Sequence, residues 1–319
     1  MVKIESRKLT VEDCEALAKI TKDARKNTPL ESERSVEDIT NSIEKIAASD
    51  DFHIITATNE RGKFIGWTYY YIAFPSMAFI SGSYPTVVEL DNHEAVALSL
   101  IEASKSHIVD LEQHSRLEIE LEFLTDAYRI YFERLVGWYT KCGFKFAAEE
   151  VHMKSNLSAI ELPEIDQPQG YILSKFSEVS YDTLEDSGFR TLKNSKEGLF
   201  LSMSHAEQKV TLEYFFDKSR PYINDASLIL EREGEIIGFV ITRLNEDNEP
   251  EIGPVGIVPE ARDKGLASYL LVRVLRNLRD SGETIVCLDT TITNHPAQKL
   301  YRKYGFQDVY YKQFYYWSP

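Results

Sequence analysis

The feature that most constrains this chain is that it reads twice. "WYTKCGF" (Trp138 to Phe144) returns as "LYRKYGF" (Leu300 to Phe306). Upstream of each, alternating apolar and polar residues run into a glycine-bearing turn and out again. These stretches are "HIITATNERGKFIGWTYYYI" from His53, around Arg61-Gly62, and "SLILEREGEIIGFVITR" from Ser227, around Glu233-Gly234. Period-two alternation broken by such a turn marks a β-hairpin. Both hairpins carry a glycine after a β-branched residue, Gly66 and Gly238. In the later motifs Gly143 and Gly305 suit helix C-caps, each with a strand beginning at the next Phe. Two such matches, in the same order behind a hairpin, imply duplication of one α/β unit. Acidic, polar and proline residues between Ser155 and Gly170 read as the linker. The expected domains are 1–160 and 161–319. "VEDCEALAKITKDA" (Val11 to Ala24) has the apolar spacing of an early helix, and the aromatic tail "DVYYKQFYYWSP" that of a covered terminal strand.

Composition narrows the classes. The chain has 319 residues, 43% hydrophobic and 27% charged, as in soluble globular proteins. No apolar run approaches the ~20 residues of a membrane span, and "MVKIESRKLT" lacks a signal-peptide core. These predict a cytoplasmic protein with no membrane partner. Cys14, Cys142 and Cys287 stand alone and the seven histidines are scattered, so neither a disulfide framework nor a metal site is expected. A net charge of −15 excludes general nucleic-acid binding, which needs clustered cations. Against that background Arg262, Lys264, Arg273, Arg276 and Arg279 crowd into one segment.

That segment opens with "GIVPEARDKGLASYLL" (Gly256 to Leu271). "PEIGPVGIVP" before it reads as a strand interrupted at Gly253-Pro254, hence an edge, a bulge or a splayed strand. After it, Leu266, Leu270, Leu271, Val274, Leu275 and Leu278 keep helical spacing to an end at Gly282. Gly265 and Ala267 leave the first-turn N–H groups open to close approach. Open N–H groups at the positive end of a helix dipole suit an anion. A plain strand-to-helix connection would use the same small residues for packing.

V-x-P-x-x-R-x-x-G-x-A followed by an amphipathic helix resembles the acyl-CoA-binding motif of the GNAT superfamily of N-acyltransferases. "TNHPAQKLYRKYGF" (Thr293 to Phe306) resembles that family's last conserved helix. The resemblance covers the chain well from about Gly170 onward; in the first half it rests on the hairpin and WYTKCGF. It implies an α/β (α+β) fold of two tandem GNAT-like domains, each a mixed, mostly antiparallel sheet flanked by helices, an architecture shared with mycothiol synthases. It further implies acetyl-CoA as co-substrate, held by Arg262, Asp263, Lys264, Gly265, Leu266, Ala267 and Ser268. Backbone N–H groups of Val255, Gly256, Ile257 and Val258 would polarise the thioester carbonyl. Tyr301 would be the general acid for the leaving thiolate, and Asn294 both the helix N-cap and a contact to the pantetheine arm. Glu251 would be the base for the amine, with Glu249 next in line. Core packing for Tyr301 and plain solvation for Glu251 are the competing readings.

Laid over the turn, "ELDNHEAVALSLIE" (Glu89 to Glu102) puts Asp91, Glu94 and Val96 where the second half has Arg262, Gly265 and Ala267. A carboxylate repels pyrophosphate and a β-branched side chain obstructs the backbone, so the first half is expected to lack a cofactor site. The three carboxylates of "LEIELEF", Glu118, Glu120 and Glu122, either attract a cationic substrate or meet basic groups of the protein. The leading reading is an acetyltransferase acting on a small-molecule or protein amine. The other is a non-catalytic acyl-CoA-binding or interaction module. The stretch Tyr181 to Tyr222, where the family's acceptor specificity resides, carries nothing diagnostic.

Overall fold

A computed structural model describes residues 2–74, 77–88, 93–110 and 116–319. The chain divides into two compact units, 1–147 with 312–319, and 148–311. The cut lies away from the expected 160/161 and is not a single cut.

Unit 1 begins with β1 (Lys3–Glu5), α1 (Val11–Arg25) and α2 (Val36–Ala48). Thr10 and Ser35 cap the two helices through reciprocal bonds with Asp13 and Asp38. The hairpin β2 (Phe52–Thr58) and β3 (Phe64–Phe74) follows, then β4 (Met77–Ile80), β5 (Thr86–Val87), α3 (His93–Asp110), β6 (Arg116–Phe123) and α4 (Asp126–Lys141). The strand order is β1-β2-β3-β4-β6, with β5 on β3 and, among the described residues, only the β4–β6 pair parallel. β7 (Lys145–Asn156) leaves unit 1 after Ala147.

Unit 2 continues with β8 (Ile172–Lys175), α5 (Tyr181–Lys193), α6 (Gly198–Leu201), α7 (His205–Phe215), β9 (Leu228–Arg232), β10 (Glu235–Leu244) and β11 (Pro250–Ile257). Then come α8 (Leu266–Asp280), β12 (Ile285–Thr291), α9 (His295–Lys303) and β13 (Gln307–Trp317). The order is β7-β12-β11-β10-β9-β8, with β11–β12 parallel and the rest antiparallel. One face packs on α8 through Val240, Ile252, Val286 and Leu288. The other packs on α5 and α7 through Ile229, Phe239 and Ile241. Each such buried side chain contributes about 1.5–3 kcal/mol of transfer free energy.

The repeat is visible in detail. Gly143 (φ 84°) and Gly305 (φ 80°) end α4 and α9 in the left-handed region. The N–H groups of Phe144 and Phe306 return to the carbonyls of Tyr139 and Tyr301, and those of Gly143 and Gly305 to Thr140 and Arg302. This is one Schellman motif made twice. Gly66 lies opposite Val87 and Gly238 opposite Ile257, where an added Cβ would come within 2.9 and 2.4 Å of those side chains.

Two stretches differ from the linear reading. The linker is packed in unit 2: Leu157 is buried, Ile160 fills the space beside Gly305, and Arg276 donates to the carbonyls of Leu162 and Pro163. The terminal strands also change company. β7, encoded by the first repeat, pairs Glu150 to Asn156 with β12 inside unit 2. Residues from Lys312 onward belong to unit 1. There Lys312 meets Glu120 (3.1 Å) and Glu122 (3.9 Å), Lys105 lies over Trp317, and buried Arg116 lies 3.9 Å over Tyr316 while bonding Glu118. The LEIELEF carboxylates therefore meet cations of the protein itself.

Candidate active site

The site grows from the way β11 leaves β12. Their parallel register holds one pair, Glu251 with Cys287. Beyond it the pairing of β11 with β10 shifts between Val240/Val255 and Thr242/Ile252, which inserts an extra residue at Gly253-Pro254. The expected interruption is thus a bulge at which the two strands part. The N–H of Val258 is bonded to the Ile237 carbonyl (2.9 Å). By the alternation of an antiparallel ladder, Gly256 also points toward β10, and Val255 and Ile257 point their N–H groups away from it. Of the four residues expected to polarise a carbonyl, Val255 and Ile257 are suitably directed. Val258 is already bonded. Gly256 is small because Thr191 and Phe239 crowd its Cα.

The turn that follows has Asp263 (φ 61°) and Gly265 (φ 77°) in the left-handed region. Gly265 is the N-cap of α8, without a side-chain cap. The N–H groups of Leu266, Ala267 and Ser268 have no carbonyl behind them in the helix, and an added Cβ on Gly265 would meet nothing within 4 Å. The result is an open cradle of N–H groups. The basic side chains are used otherwise. Arg262 donates to the carbonyls of Ile257 (3.1 Å), Thr191 (3.0 Å) and Asn194 (2.7 Å), tying the turn to the end of α5. Lys264 bonds the Glu260 carbonyl, and Arg276 holds the linker. Ser268 Oγ is bonded to the Tyr304 hydroxyl on α9.

Tyr301 lies in the apolar core, 6% exposed, against Phe306. Among the described residues nothing hydrogen-bonds its hydroxyl. Burial, and then the nearby Glu197 carboxylate, push its phenol well above the usual value. It is protonated at neutral pH, as a proton donor must be. Tyr301 is therefore a core residue, and its protonated hydroxyl is compatible with the expected acid role. Asn294 occupies the N-cap position of α9 but its side chain makes no cap. One of the two N–H groups a cap would reach is missing, because Pro296 is the second helical residue. The amide instead donates to Glu197 Oε1 (2.9 Å), whose other oxygen accepts from Thr291 (3.0 Å). Glu197, just before α6, was invisible in the sequence: nothing beside it marks it, and only the fold brings it to Asn294 and Tyr301.

Glu251 lines an open cleft of about 470 Å³ with Tyr214, Arg220, Arg243 and Glu246. Its row across the strands runs Arg243, Glu251, Cys287, Lys154. Arg243 is bound to the carbonyls of Phe215, Asp217, Arg220 and Pro221, holding the segment after α7. Lys154 bonds Glu249 (2.5 Å), and this bond holds the Glu249 carboxyl below its usual value. Glu249, the next candidate for the base, is thus held in its ionised form by an ion pair. Burial, with Glu251 and then Glu249 adding to it, pushes the Cys287 thiol up to about 12, so it is no nucleophile at neutral pH. Two residues onward His152 bonds Asp289 (2.7 Å). His152 and Lys154 reach this face from β7, a contribution of the first repeat that the linear reading did not find.

Residues 196–306 match the Acetyltransferase (GNAT) family. The mycothiol acetyltransferase of Thermomonospora curvata is 31% identical over 160 residues, 49% of this chain and 50% of the relative. The chain thus matches about half the length of that curated relative. A GCN5-related N-acetyltransferase from Sphaerobacter thermophilus superposes with a TM-score of 0.58 at 16% identity, covering 99% of this chain and 95% of the other. A tandem GNAT protein from the clavulanic acid biosynthesis pathway gives 0.52 at 13%, covering 100% and 98%. Residues 196–306 thus match the GNAT family, and the chain as a whole shares the fold of a solved tandem GNAT protein. Among the described residues no helix is long and apolar enough to cross a membrane.

Proposed function

We propose that unit 2 transfers an acetyl group from acetyl-CoA to an amine, and that unit 1 acts as a scaffold without a cofactor site of its own. The units taken to be at work are 1–147 with 312–319, and 148–311, in place of the 1–160 and 161–319 expected from the repeat. The observation that carries the reading is the uncapped start of α8, whose N–H groups from Gly265 to Ser268 form a cradle fit for pyrophosphate. Arg262 positions that cradle, with its guanidinium already bound to carbonyls. The thioester supplies the activated acetyl group. Val255 and Ile257 N–H groups face the gap between β11 and β12, where they would hold its carbonyl oxygen. Glu251, in the cleft, accepts the amine proton directly or through water, and Tyr301 donates a proton to the departing thiolate. Glu197 holds the amide of Asn294, the expected contact to the pantetheine arm. With Cys287 protonated, transfer is direct from thioester to amine.

The acceptor is a small molecule or a protein amine, and the relative's name makes mycothiol precursors one group to try. The test is mass-spectrometric detection of acetylated product from an amine panel that includes amino sugars and peptide N-termini. Product formed by the wild type, with kcat/KM lowered in Glu251→Gln and little changed in Glu249→Gln, supports the assignment. Acetyl-CoA binding without product from any acceptor would favour a non-catalytic acyl-CoA-binding module.

A further inference from the structure

Unit 1 contains a cavity of about 460 Å³ between α1, α2, the middle of β3 and the segment after β4. This lies within the size range of small-molecule sites. Its wall carries four cationic side chains, Lys22, Arg25, Lys26 and Arg34, against two carboxylates, Asp23 and Glu31, in a chain whose net charge is −15. Among the described residues none of the four makes an ion pair. Lys22 donates to the Arg34 carbonyl (2.9 Å), and Arg34 to the Asp38 carbonyl (2.7 Å) and to Ser42. Arg25 donates to Ser83 (3.1 Å) and lies over the Tyr84 ring. Its Nε is buried without a partner.

The helix dipole accounts for part of this, since Lys22 and Arg25 close the last turn of α1. It does not account for Arg34, which follows α1 by a loop, or for the buried Nε. Like charges gathered around one cavity repel, the more so where water is partly excluded. Lys22, Lys26 and Arg34 are exposed, and the Asp38 carboxylate lies near Lys22 and Arg34, so water and Asp38 offset part of this charge; the buried Nε of Arg25 is the group left for an anion from outside. The rest of the lining suits a polar body: hydroxyls of Ser32, Ser42, Ser81 and Ser83, beside the Tyr69 and Tyr84 rings.

We propose that this cavity binds a small hydroxylated anion carrying at least two negative charges, a phosphorylated or polycarboxylated metabolite. Arg25 and Arg34 contact its charged group. The site is independent of the acetyl-CoA cradle in unit 2.

Isothermal titration of the full chain with glucose 6-phosphate, citrate and uncharged glucose tests it. Either anion, but not glucose, should bind once per chain, more weakly as salt rises. The stronger binder tells phosphate from carboxylate. Arg25→Gln and Arg34→Gln, each checked for an unchanged melting transition, should each weaken binding at least ~10-fold, the range for a charge-assisted hydrogen bond. Should either fail to fold, exposed Lys26→Gln serves in its place with a weakening of ~3-fold. Gly265→Glu should leave this binding intact while removing that of acetyl-CoA, so the two readings fail separately. No saturable binding of either anion up to ~10 mM overturns the proposal. So does binding unchanged in the cavity variants, or lost in Gly265→Glu.

Discussion

Tyr139 and Tyr301 stand at the same place in the two repeats, three residues from the end of a helix closed by the same Schellman motif. The Tyr139 hydroxyl is bonded to the Tyr84 carbonyl and its side chain is fully buried; the Tyr301 hydroxyl has no such partner and lies near Glu197. The hairpins extend the comparison. Tyr71 pairs with Phe79 in unit 1 where Arg243 pairs with Glu251 in unit 2, so the position of the proposed base is a phenylalanine in the first repeat. At the turn, Glu94 lies within α3 and is ion-paired with Lys141, whereas Gly265 is a left-handed N-cap. Val96 is buried in the unit 1 core, and Asp91 falls outside the described residues. Duplication preserved the backbone frame. The residue types proposed for the chemistry, Gly265 and Glu251, are not repeated at the matching positions of unit 1, Glu94 and Phe79.

The largest effect that would break this contrast is at the turn. Gly265→Glu should lower acetyl-CoA affinity more than ~100-fold, because it places a side chain at φ 77° and a negative charge in the phosphate cradle. Glu94→Gly should leave acetyl-CoA affinity unchanged, and titration of the wild type should give one site per chain. A second site lost in a unit 1 variant would end the asymmetry.

At the paired tyrosines, Tyr301→Phe should reduce kcat ~10²–10⁴-fold with acetyl-CoA affinity nearly intact, as expected for loss of a proton donor. Tyr139→Phe, which removes a buried hydrogen bond, should lower stability by about 0.5–1.5 kcal/mol and leave kcat alone. Equal kinetic effects of the two would make Tyr301 a packing residue only.

The exchanged tail gives the next test. Arg116→Met removes the guanidinium that compensates buried Glu118 and stacks on Tyr316, and should destabilise unit 1 by about 3–5 kcal/mol. Hydrogen exchange should rise in β6 and in residues 312–317 before it rises in β12.

The smallest effect concerns acid. Asp13 is held at about 2, chiefly by its two bonds to Arg7 (2.7 and 2.8 Å) and further by the Thr10 cap. Its folded-state value lies below the unfolded one, so its stabilisation is fully present above about pH 4. It is lost as pH falls through about 2. The melting temperatures of wild type and Asp13→Asn should differ at neutral pH and converge across that window.

Much of this was legible in the linear chain because it is local. Alternation set the hairpins, glycines at Gly143 and Gly305 set the helix ends, and R-x-x-G-x-A set the open start of α8. Each of those outcomes depends on a few neighbouring residues and their dihedral preferences. What only the tertiary structure decided depends on partners far away in sequence. Arg262 is bound by the carbonyls of Thr191 and Asn194, Asn294 is drawn from capping by Glu197, and Glu249 is neutralised by Lys154. The exchange of β7 and of residues 312–319 belongs to the same class. Strand pairing satisfies backbone groups whichever repeat supplies the strand, so the pattern foretells a strand but not its neighbour.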